Sequence, residues 1–212
     1  MLAERQRCDA PGRIADLYAA KPARYFPYDP EARGVAARII DAIINCRSSL
    51  CVDHIGSTAV PGCGGKGIVD LLVSYPAGGF FIARDALDQL GFQPQGGPEP
   101  FPESRPMRVG AATYRGKAYL IHAHVIRSGD REGQDLIRFR DRLRADAELV
   151  QAYQVEKLSI LASGITVSTE YSKAKSAFIR AVLAEVDGSK PVGSSRTEAI
   201  TWSPALPILT AR

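Results

Sequence analysis

The chain has 212 residues, of which 45% are hydrophobic and 24% charged, and its formal net charge is +4 at pH 7. This length suits one domain with a sizeable core and is too short for two ordinary domains joined by a linker. No apolar run reaches the roughly 18 residues of a membrane span, and the small positive excess favours a small anionic ligand over nucleic acid. We therefore expect a soluble globular protein that acts on a small molecule.

The cysteines and the N-terminal segment indicate the cellular compartment. Cys8, Cys46, Cys51 and Cys63 contain no C-x-x-C pair. In a chain of this length, that spacing is typical of reduced thiols rather than of a disulfide framework or a zinc site. The first residues, MLAERQRCDAPGR, lack the apolar stretch of a signal peptide. We expect reduced cysteines and a cytoplasmic location.

The first elements of the chain are a lead-in, a helix and two strands. Residues 1–24 form the lead-in, with weak helical character at 13–20, and an extended proline-rich segment follows. Apolar residues recur at helical spacing over 31–45. Residues 50–56 (LCVDHIG) and 68–75 (IVDLLVSY) are predicted to be strands, and the second is apolar enough to be a central strand.

A helix over 81–90 comes next, and the pattern then predicts a hairpin and three helices. The hairpin consists of 109–115 and 118–126, with Gly116 in its turn. The three helices are predicted over 134–144, from Asp146 to about Ala162, and from Thr169 to about Val186, with Asp146 and Thr169 as caps.

This order of elements predicts an α/β (α+β) fold. A small mixed β-sheet would carry flanking helices, and the C-terminal half of the domain would be helical. We expect the domain to cover 25–187. Residues 188–212 are rich in turn-forming residues without periodicity, which predicts a flexible tail.

The segment HIGSTAVPG, residues 54–62, is the first candidate site. Gly56 would let the backbone approach a ligand, and the amides that follow it at Ser57 and Thr58 could hold phosphate oxygens. A Gly-Ser pair taken alone is more often an ordinary turn at the end of a strand. Ser57 does not lie in a G-x-S-x-G hydrolase elbow, and Gly67 follows Lys66 where a P-loop has Ser or Thr.

Asp70 interrupts the apolar run IVDLLV. An acidic residue in a buried strand is costly unless it is paired, hydrogen-bonded or bound to a metal. Two interpretations are open. Asp70 could hold Mg²⁺ together with phosphate oxygens of a substrate, or it could form a structural ion pair, for example with Lys66.

His122 and His124 lie in the predicted strand LIHAHVI. Positions i and i+2 of a strand point to the same face, so the two imidazoles are expected to share one face. A single histidine is usually structural, whereas two on one strand face suggest contact with a metal or a phosphate.

Two basic residues fall within apolar stripes of predicted helices. Lys175 shares a face with Tyr171, Phe178 and Ile179, and Arg140 lies beside apolar residues of the 134–144 helix. Such residues either extend their charged ends to solvent or meet an anion. Both interpretations are open from the sequence.

HIGSTAVPG, followed by a lysine and a strand that contains Asp, resembles the GrpB-like family. That family is assigned to the nucleotidyltransferase superfamily, typified by DNA polymerase β and the aminoglycoside nucleotidyltransferases. Further similar segments, in the order of the family, are FPYDP, HAHV, FRDRLR and YSKAKSAFI, and the resemblance covers about residues 25–180. It implies a small mixed sheet, a Gly56–Ser57 turn that holds nucleotide phosphates, and an Asp70 that binds Mg²⁺.

The sequence departs from the superfamily at two places. The second acid of the usual two-metal site would stand at Leu72, and His122 and His124 occupy the region of the usual third acid. A site of Asp and His would bind metal differently, with a softer ion than Mg²⁺ as one option.

We therefore expect a GrpB-like enzyme that uses Mg²⁺ or Mn²⁺ to transfer a nucleotidyl group from a nucleoside triphosphate to a small acceptor. Asp70, His122 and His124 would be the catalytic and metal-binding residues. The nucleotide would be bound by Gly56, Ser57, Thr58, Lys66, Arg140 and Lys175. The alternatives are an enzyme that acts on a small metabolite without a nucleoside triphosphate, and a non-catalytic module that binds a nucleotide or coenzyme A. The sequence leaves the donor base, the acceptor, the metal and the oligomeric state open.

Overall fold

The computed structural model describes residues 12–97 and 99–186. Within these ranges the chain forms one five-stranded sheet and six α-helices. The strands are β1 (Cys51–Ile55), β2 (Val69–Tyr75), β3 (Gln93–Pro94), β4 (Met107–Tyr114) and β5 (Lys117–Arg127). The helices are α1 (Glu31–Cys46), α2 (Phe80–Gln89), α3 (Arg131–Ala145), α4 (Ala147–Ala162), α5 (Ser168–Ala174) and α6 (Ser176–Val186).

The sheet is mixed, with the strand order β1-β2-β5-β4-β3. β2 is parallel to β5, and the other neighbouring pairs are antiparallel. β4 and β5 form the hairpin that the sequence predicts, and β2 lies inside the sheet as expected of its apolar run. The predicted α/β (α+β) class, with a small mixed sheet and a helical C-terminal half, is confirmed.

One face of the sheet carries the main core. Alternate residues of β2 and β5 point to this face, where they pack with α1 and α2. The apolar stripe of α1, with Val35, Ile39 and Ile43, is almost completely buried there. Each such side chain contributes about 1.5–3 kcal/mol when it is removed from water. This core fixes the positions of β2 and β5.

The opposite face carries the polar residues singled out from the sequence. The parallel register pairs Asp70 with His122 and Leu72 with His124. Because paired residues of adjacent strands point to the same side, these four side chains share one face. Farther along this face, Ile126 joins Leu72 in a small apolar cluster that α3 covers.

The C-terminal helices attach to the turn after β1. Tyr153 on α4 belongs to an apolar cluster that also contains Val60 and Cys63 from the turn region. Asp146 caps α4 as predicted, since its side chain accepts a hydrogen bond of 3.0 Å from the backbone N–H of Leu149. The turn is thereby held between the sheet and the helical half.

Two local predictions are wrong. Residues 13–20 form no helix, because Asp16 exchanges two backbone hydrogen bonds with Ala111 of β4 and so lies extended at the sheet. Thr169 is not a cap, because α5 begins at Ser168 with Val167 in the cap position, and Lys175 separates α5 from α6.

The cysteine prediction also needs correction. Cys46 is disulfide-bonded, whereas Cys51 and Cys63 are free. Spacing along the chain does not show which residues the fold brings to bonding distance. Among the described residues, no helix is both long and apolar enough to cross a membrane. The predicted tail, 188–212, lies outside the described residues.

Candidate active site

Gly56 follows the last residue of β1 and lies against Asp70. Its φ is 71°, in the left-handed region that favours glycine. A Cβ at this position would stand 2.5 Å from Asp70 Oδ2. Glycine at position 56 therefore allows both the left-handed backbone of the turn and the close approach of the Asp70 carboxylate.

Thr58 lies in the single 3₁₀ turn that follows (Ser57–Ala59). Its hydroxyl donates to the carbonyl of Ile68 at 3.1 Å and lies 3.0 Å from His54 Nε2. These buried contacts tie the turn to the start of β2. The Thr58 hydroxyl thus has a structural role, whereas the phosphate contact that the sequence predicts for Thr58 is through its backbone amide and stays a prediction.

Asp70 meets both histidines on its face of the sheet. Its Oδ1 lies 3.5 Å from His122 Nδ1 and 3.9 Å from His124 Nε2. Burial alone would raise the pKa of Asp70, but hydrogen bonding and charge from the two imidazoles outweigh it and hold the pKa below its ordinary value. Asp70 is therefore a stable anion at the centre of the site.

The outer nitrogens of the two imidazoles have different partners. His122 Nε2 lies 2.9 Å from the hydroxyl of Tyr18. His124 Nδ1 lies 3.4 Å from Arg105 Nη1, and Arg105 also pairs with Glu132. Since a guanidinium only donates, His124 Nδ1 accepts, and its Nε2 carries the proton that faces Asp70. Burial also lowers the pKa of His124.

A small polar cleft opens beside Asp70. We call it the lysine cleft, because three ammonium groups reach it. Its lining consists of Ser57, Lys66, Gly67, Ile68, Asp70, Lys157, Tyr171 and Lys175. Ser57, Lys66, Asp70 and Lys175 are residues that the sequence singled out, and the fold brings them to one place.

Lys157 was missed from the sequence. Its Nζ donates to Ser57 Oγ at 3.2 Å, to Cys63 Sγ at 3.2 Å, and to the carbonyl of Gly64. The side chain is 1% exposed. The signal was present in α4, where Lys157 shares the buried helix face with Val150, Tyr153 and Ile160.

Lys66 and Lys175 flank the aromatic ring of Tyr171. Their Nζ atoms lie 5.6 and 4.8 Å from the ring centroid, and Lys66 also donates to Ser168 Oγ at 2.8 Å. Burial, reinforced by the charge of Lys66, lowers the pKa of Lys175 to about 8. Tyr171 is 1% exposed, and its hydroxyl has no hydrogen-bond partner among the described residues. An anion in the cleft would relieve the repulsion between the lysines.

Arg140 does not line the lysine cleft. Its guanidinium bonds to Asp53 and to the carbonyl of His54 on β1, at 3.2 and 3.1 Å, and to Asp141 on α3 at 2.8 Å. Since Arg140 is itself on α3, its two contacts with β1 join this helix to the edge of the sheet. The structure thus gives Arg140 a scaffold role in place of the contact with a nucleotide that the sequence suggested.

The donor set limits which metal could bind. Leu72, in the position of a second acid, is 1% exposed and packs with Ile55 and Ile126. Within the described residues there is no group of three His, Cys, Asp or Glu side chains that could hold a metal ion. Mg²⁺ prefers oxygen ligands and often takes only one or two carboxylates plus substrate phosphates. Asp70 could therefore contribute to a Mg²⁺ site only where a bound phosphate and water supplied the other ligands.

The fold and the site define a mixed α/β protein whose acid, serine and lysines converge at the turn between β1 and β2. The chain belongs to the GrpB family: the family described as "GrpB protein" matches residues 24–185. The family resemblance predicted from the sequence is thereby confirmed.

Individual relatives agree with this assignment. UPF0157 protein SCO7215 of Streptomyces coelicolor is 32% identical over 148 residues, which cover 68% of this chain and 72% of the relative. The crystal structure of the conserved protein GrpB from Enterococcus faecalis aligns with a TM-score of 0.59 and 22% identity, over 76% of this chain and 96% of that chain. This second likeness shows the fold alone.

A more distant neighbour is the Cid1 poly(U) polymerase. It aligns with a TM-score of 0.41 and 12% identity, over 58% of this chain and 38% of that chain. A likeness of this size says nothing about activity.

Proposed function

We propose that this protein transfers a nucleotidyl group from a nucleoside triphosphate to a small acceptor, with the triphosphate bound in the lysine cleft. The observation that carries the proposal is the convergence of Lys66, Lys157 and Lys175 on Ser57 and Asp70. Three cations beside one carboxylate leave an excess of positive charge, which suits a polyanion. Positive groups fixed in place also stabilise the charge that develops on a leaving pyrophosphate.

Ser57 is arranged to donate to a phosphate oxygen. Lys157 Nζ already donates to Ser57 Oγ, so the oxygen acts as an acceptor and the hydroxyl proton is free for another partner. The buried position of Lys157 fixes this arrangement before a ligand arrives. Ser57 would thus contact the triphosphate, and Lys157 would position Ser57.

The two carboxylate oxygens of Asp70 face different neighbours. Oδ1 faces the two histidines, whereas Oδ2 lies at Gly56. We propose that Asp70 holds Mg²⁺ together with phosphate oxygens of the nucleotide. When bound, the ion would neutralise charge on the phosphates during transfer.

The two sides of Asp70 also suggest a direction for the reaction. The lysine cleft would hold the pyrophosphate end of the nucleotide, and His122 contacts Asp70 without lining this cleft. In-line displacement requires the attacking group to lie opposite the leaving group. The acceptor would therefore approach from the side of His122, and it would replace the Tyr18 hydroxyl at Nε2 when His122 takes its proton as a general base.

One observation favours a second candidate. Leu72 is packed in an apolar cluster, so this position supplies no second carboxylate for a two-metal site. This favours a protein that binds a nucleotide or a coenzyme A-like ligand in the lysine cleft without catalysis. Both candidates predict anion binding, and only the first predicts the release of pyrophosphate.

The test is a thermal-shift titration with ATP, GTP, CTP and UTP, each with and without MgCl₂. A ligand at 100 times its Kd adds about 2.7 kcal/mol of stability. We expect stabilisation in the wild type and its loss in Lys66→Gln and Lys175→Gln. Lys173→Gln is the matched control, since Lys173 lies on the same segment but is exposed and pairs with Glu99.

A second assay separates transfer from binding. Purified protein with Mg²⁺ and the stabilising triphosphate should release pyrophosphate when a pool of small hydroxyl compounds is supplied, and Asp70→Asn should release none. Stabilisation without pyrophosphate release would favour the binding module. If no triphosphate stabilises the wild type, the proposed function is wrong.

A further inference from the structure

Tyr18 completes a series of three side chains that starts at Asp70. Asp70 Oδ1 lies 3.5 Å from His122 Nδ1, and His122 Nε2 lies 2.9 Å from the hydroxyl of Tyr18. The rings of Tyr18 and His122 are 5.6 Å apart and tilted by 50°. A carboxylate, an imidazole and a hydroxyl therefore stand in line, with the imidazole in the middle.

The lead-in holds Tyr18 in this position. Ile14 and Ala15 donate backbone hydrogen bonds of 3.0 Å to the carbonyl of Leu90, and Asp16 pairs with Ala111 of β4. Ala15 is completely buried. Tyr18 follows this anchored stretch by two residues, so its place beside His122 is set by the fold.

The partners of His122 define the tautomer of its neutral imidazole. An ionised carboxylate only accepts hydrogen bonds, so His122 Nδ1 carries the proton that faces Asp70. A neutral imidazole then has its lone pair on Nε2, where it accepts from the hydroxyl of Tyr18. This is the arrangement in which an oriented base activates a hydroxyl nucleophile.

The phenol needs this base. A phenol ordinarily loses its proton only at about pH 10. The hydroxyl is therefore protonated at neutral pH, and His122 Nε2 is the group placed to take its proton. A hydroxyl with only a structural role could donate its hydrogen bond equally well to a backbone carbonyl.

Tyr18 is connected to the lysine cleft through His122 and Asp70. It is absent from the lining of the lysine cleft, and Asp70 belongs both to that lining and to the series that ends at Tyr18. A nucleotide with its pyrophosphate end among the lysines would present its α-phosphate near Asp70. In-line transfer would require the phenol oxygen to face the α-phosphorus opposite the leaving pyrophosphate.

We infer that Tyr18 is itself an acceptor, so that the protein transfers a nucleoside monophosphate from a nucleoside triphosphate to its own Tyr18. This inference rests on the proposed function and adds a modification site to it. The Tyr18 oxygen forms a bond to the α-phosphorus, the bond from that phosphorus to the bridging oxygen of the β-phosphate breaks, and pyrophosphate leaves. The phenol proton passes to His122 Nε2.

The experiment incubates the full-length protein with MgCl₂ and each of the four ribonucleoside triphosphates, labelled either at the α- or at the γ-phosphate. The α-label should remain on the protein after denaturation, and the γ-label should not. Peptide mapping by mass spectrometry should place a nucleoside monophosphate on Tyr18. Tyr18→Phe should abolish labelling, and His122→Ala should slow it about 10²- to 10⁴-fold, as loss of a general base does.

Tyr75→Phe is the matched control, because Tyr75 packs on the opposite face of the sheet beside Phe80. It should label as the wild type does. Thermal stabilisation by the same triphosphate is measured in every variant, so a variant that binds nucleotide is known to be folded.

Two results would overturn the inference alone: a triphosphate that stabilises the protein without labelling Tyr18, or equal labelling of Tyr18→Phe. The first would leave Tyr18 as a residue that only orients His122. A protein that no triphosphate stabilises or labels would overturn the proposed function as well.

Discussion

Asp70 occupies the space that a side chain at position 56 would need. An ideal Cβ on Gly56 would lie 2.5 Å from Asp70 Oδ2, closer than nonbonded heavy atoms approach. The turn that reaches the lysine cleft and the carboxylate at its edge are therefore coupled directly. A ligand that contacts the turn at Gly56 would therefore also lie next to the Asp70 carboxylate.

This coupling predicts the effect of Gly56→Ala. The substitution adds a clash with Asp70 to the cost of a positive φ, so we expect the free energy of unfolding to fall by about 1–3 kcal/mol. Chemical denaturation measures the change. Gly62→Ala is the control, because Gly62 has a similar φ of 75° but nothing within 4 Å of an added Cβ.

Asp70→Ala provides a second check on the same contact. It removes the carboxylate, so Gly56→Ala should cost less in that background than in the wild type. Equal losses for Gly56→Ala and Gly62→Ala would mean that the contact with Asp70 contributes nothing.

Leu72 supports a prediction about the metal site. Leu72→Asp would restore an acid to the superfamily position, but the side chain is 1% exposed and lies among apolar neighbours. Burial of an unpaired carboxylate there should lower the free energy of unfolding by several kcal/mol. Leu72→Met, which conserves volume, should cost less than about 1.5 kcal/mol.

Urea denaturation with and without Mg²⁺ tests this prediction. Leu72→Asp should be destabilised under both conditions. If Mg²⁺ restored its stability to that of the wild type, the cluster at Leu72 would be adaptable enough to form a second metal site.

The sequence predicted the parts of the site that depend on local periodicity. The period of two in β5 places His122 and His124 on one face, and the apolar run of β2 makes Asp70 conspicuous. Tyr18 was not predicted, because it meets His122 across a separation of 104 residues. Such a contact depends on how the lead-in crosses the sheet, which no local pattern encodes.

Lys157 and Arg140 show a different limit. Both lie beside apolar residues of helices, and the sequence does not distinguish a lysine that lines a cleft from an arginine that joins two elements. The distinction depends on which strand the helix covers. α3 sets Arg140 against Asp53 of β1, whereas α4 sets Lys157 against Ser57 of the turn.

The scaffold role of Arg140 leads to a third prediction. Its side chain is 10% exposed and bonds to Asp53, so Arg140→Ala should lower the free energy of unfolding by about 1–3 kcal/mol. Nucleotide-dependent stabilisation should be retained, since Arg140 does not line the lysine cleft. The measurement is thermal unfolding with and without triphosphate; loss of the ligand effect at an unchanged apo stability would contradict the prediction.

Lys175 predicts opposite pH dependences for stability and for anion binding. Burial and Lys66 lower its pKa from 10.5 to about 8, with Lys157 adding to and Asp70 opposing the shift. Between these two values the unfolded chain binds more protons than the folded one, so apo stability should rise with pH through this window. Affinity for a triphosphate should fall over the same window as the ammonium loses its charge.

Denaturation and binding titrations from pH 7 to 10 measure both trends. In the Lys175→Gln variant, both the free energy of unfolding and the affinity for the triphosphate should depend less on pH than in the wild type. Parallel trends in the wild type would show that Lys175 does not contact the anion.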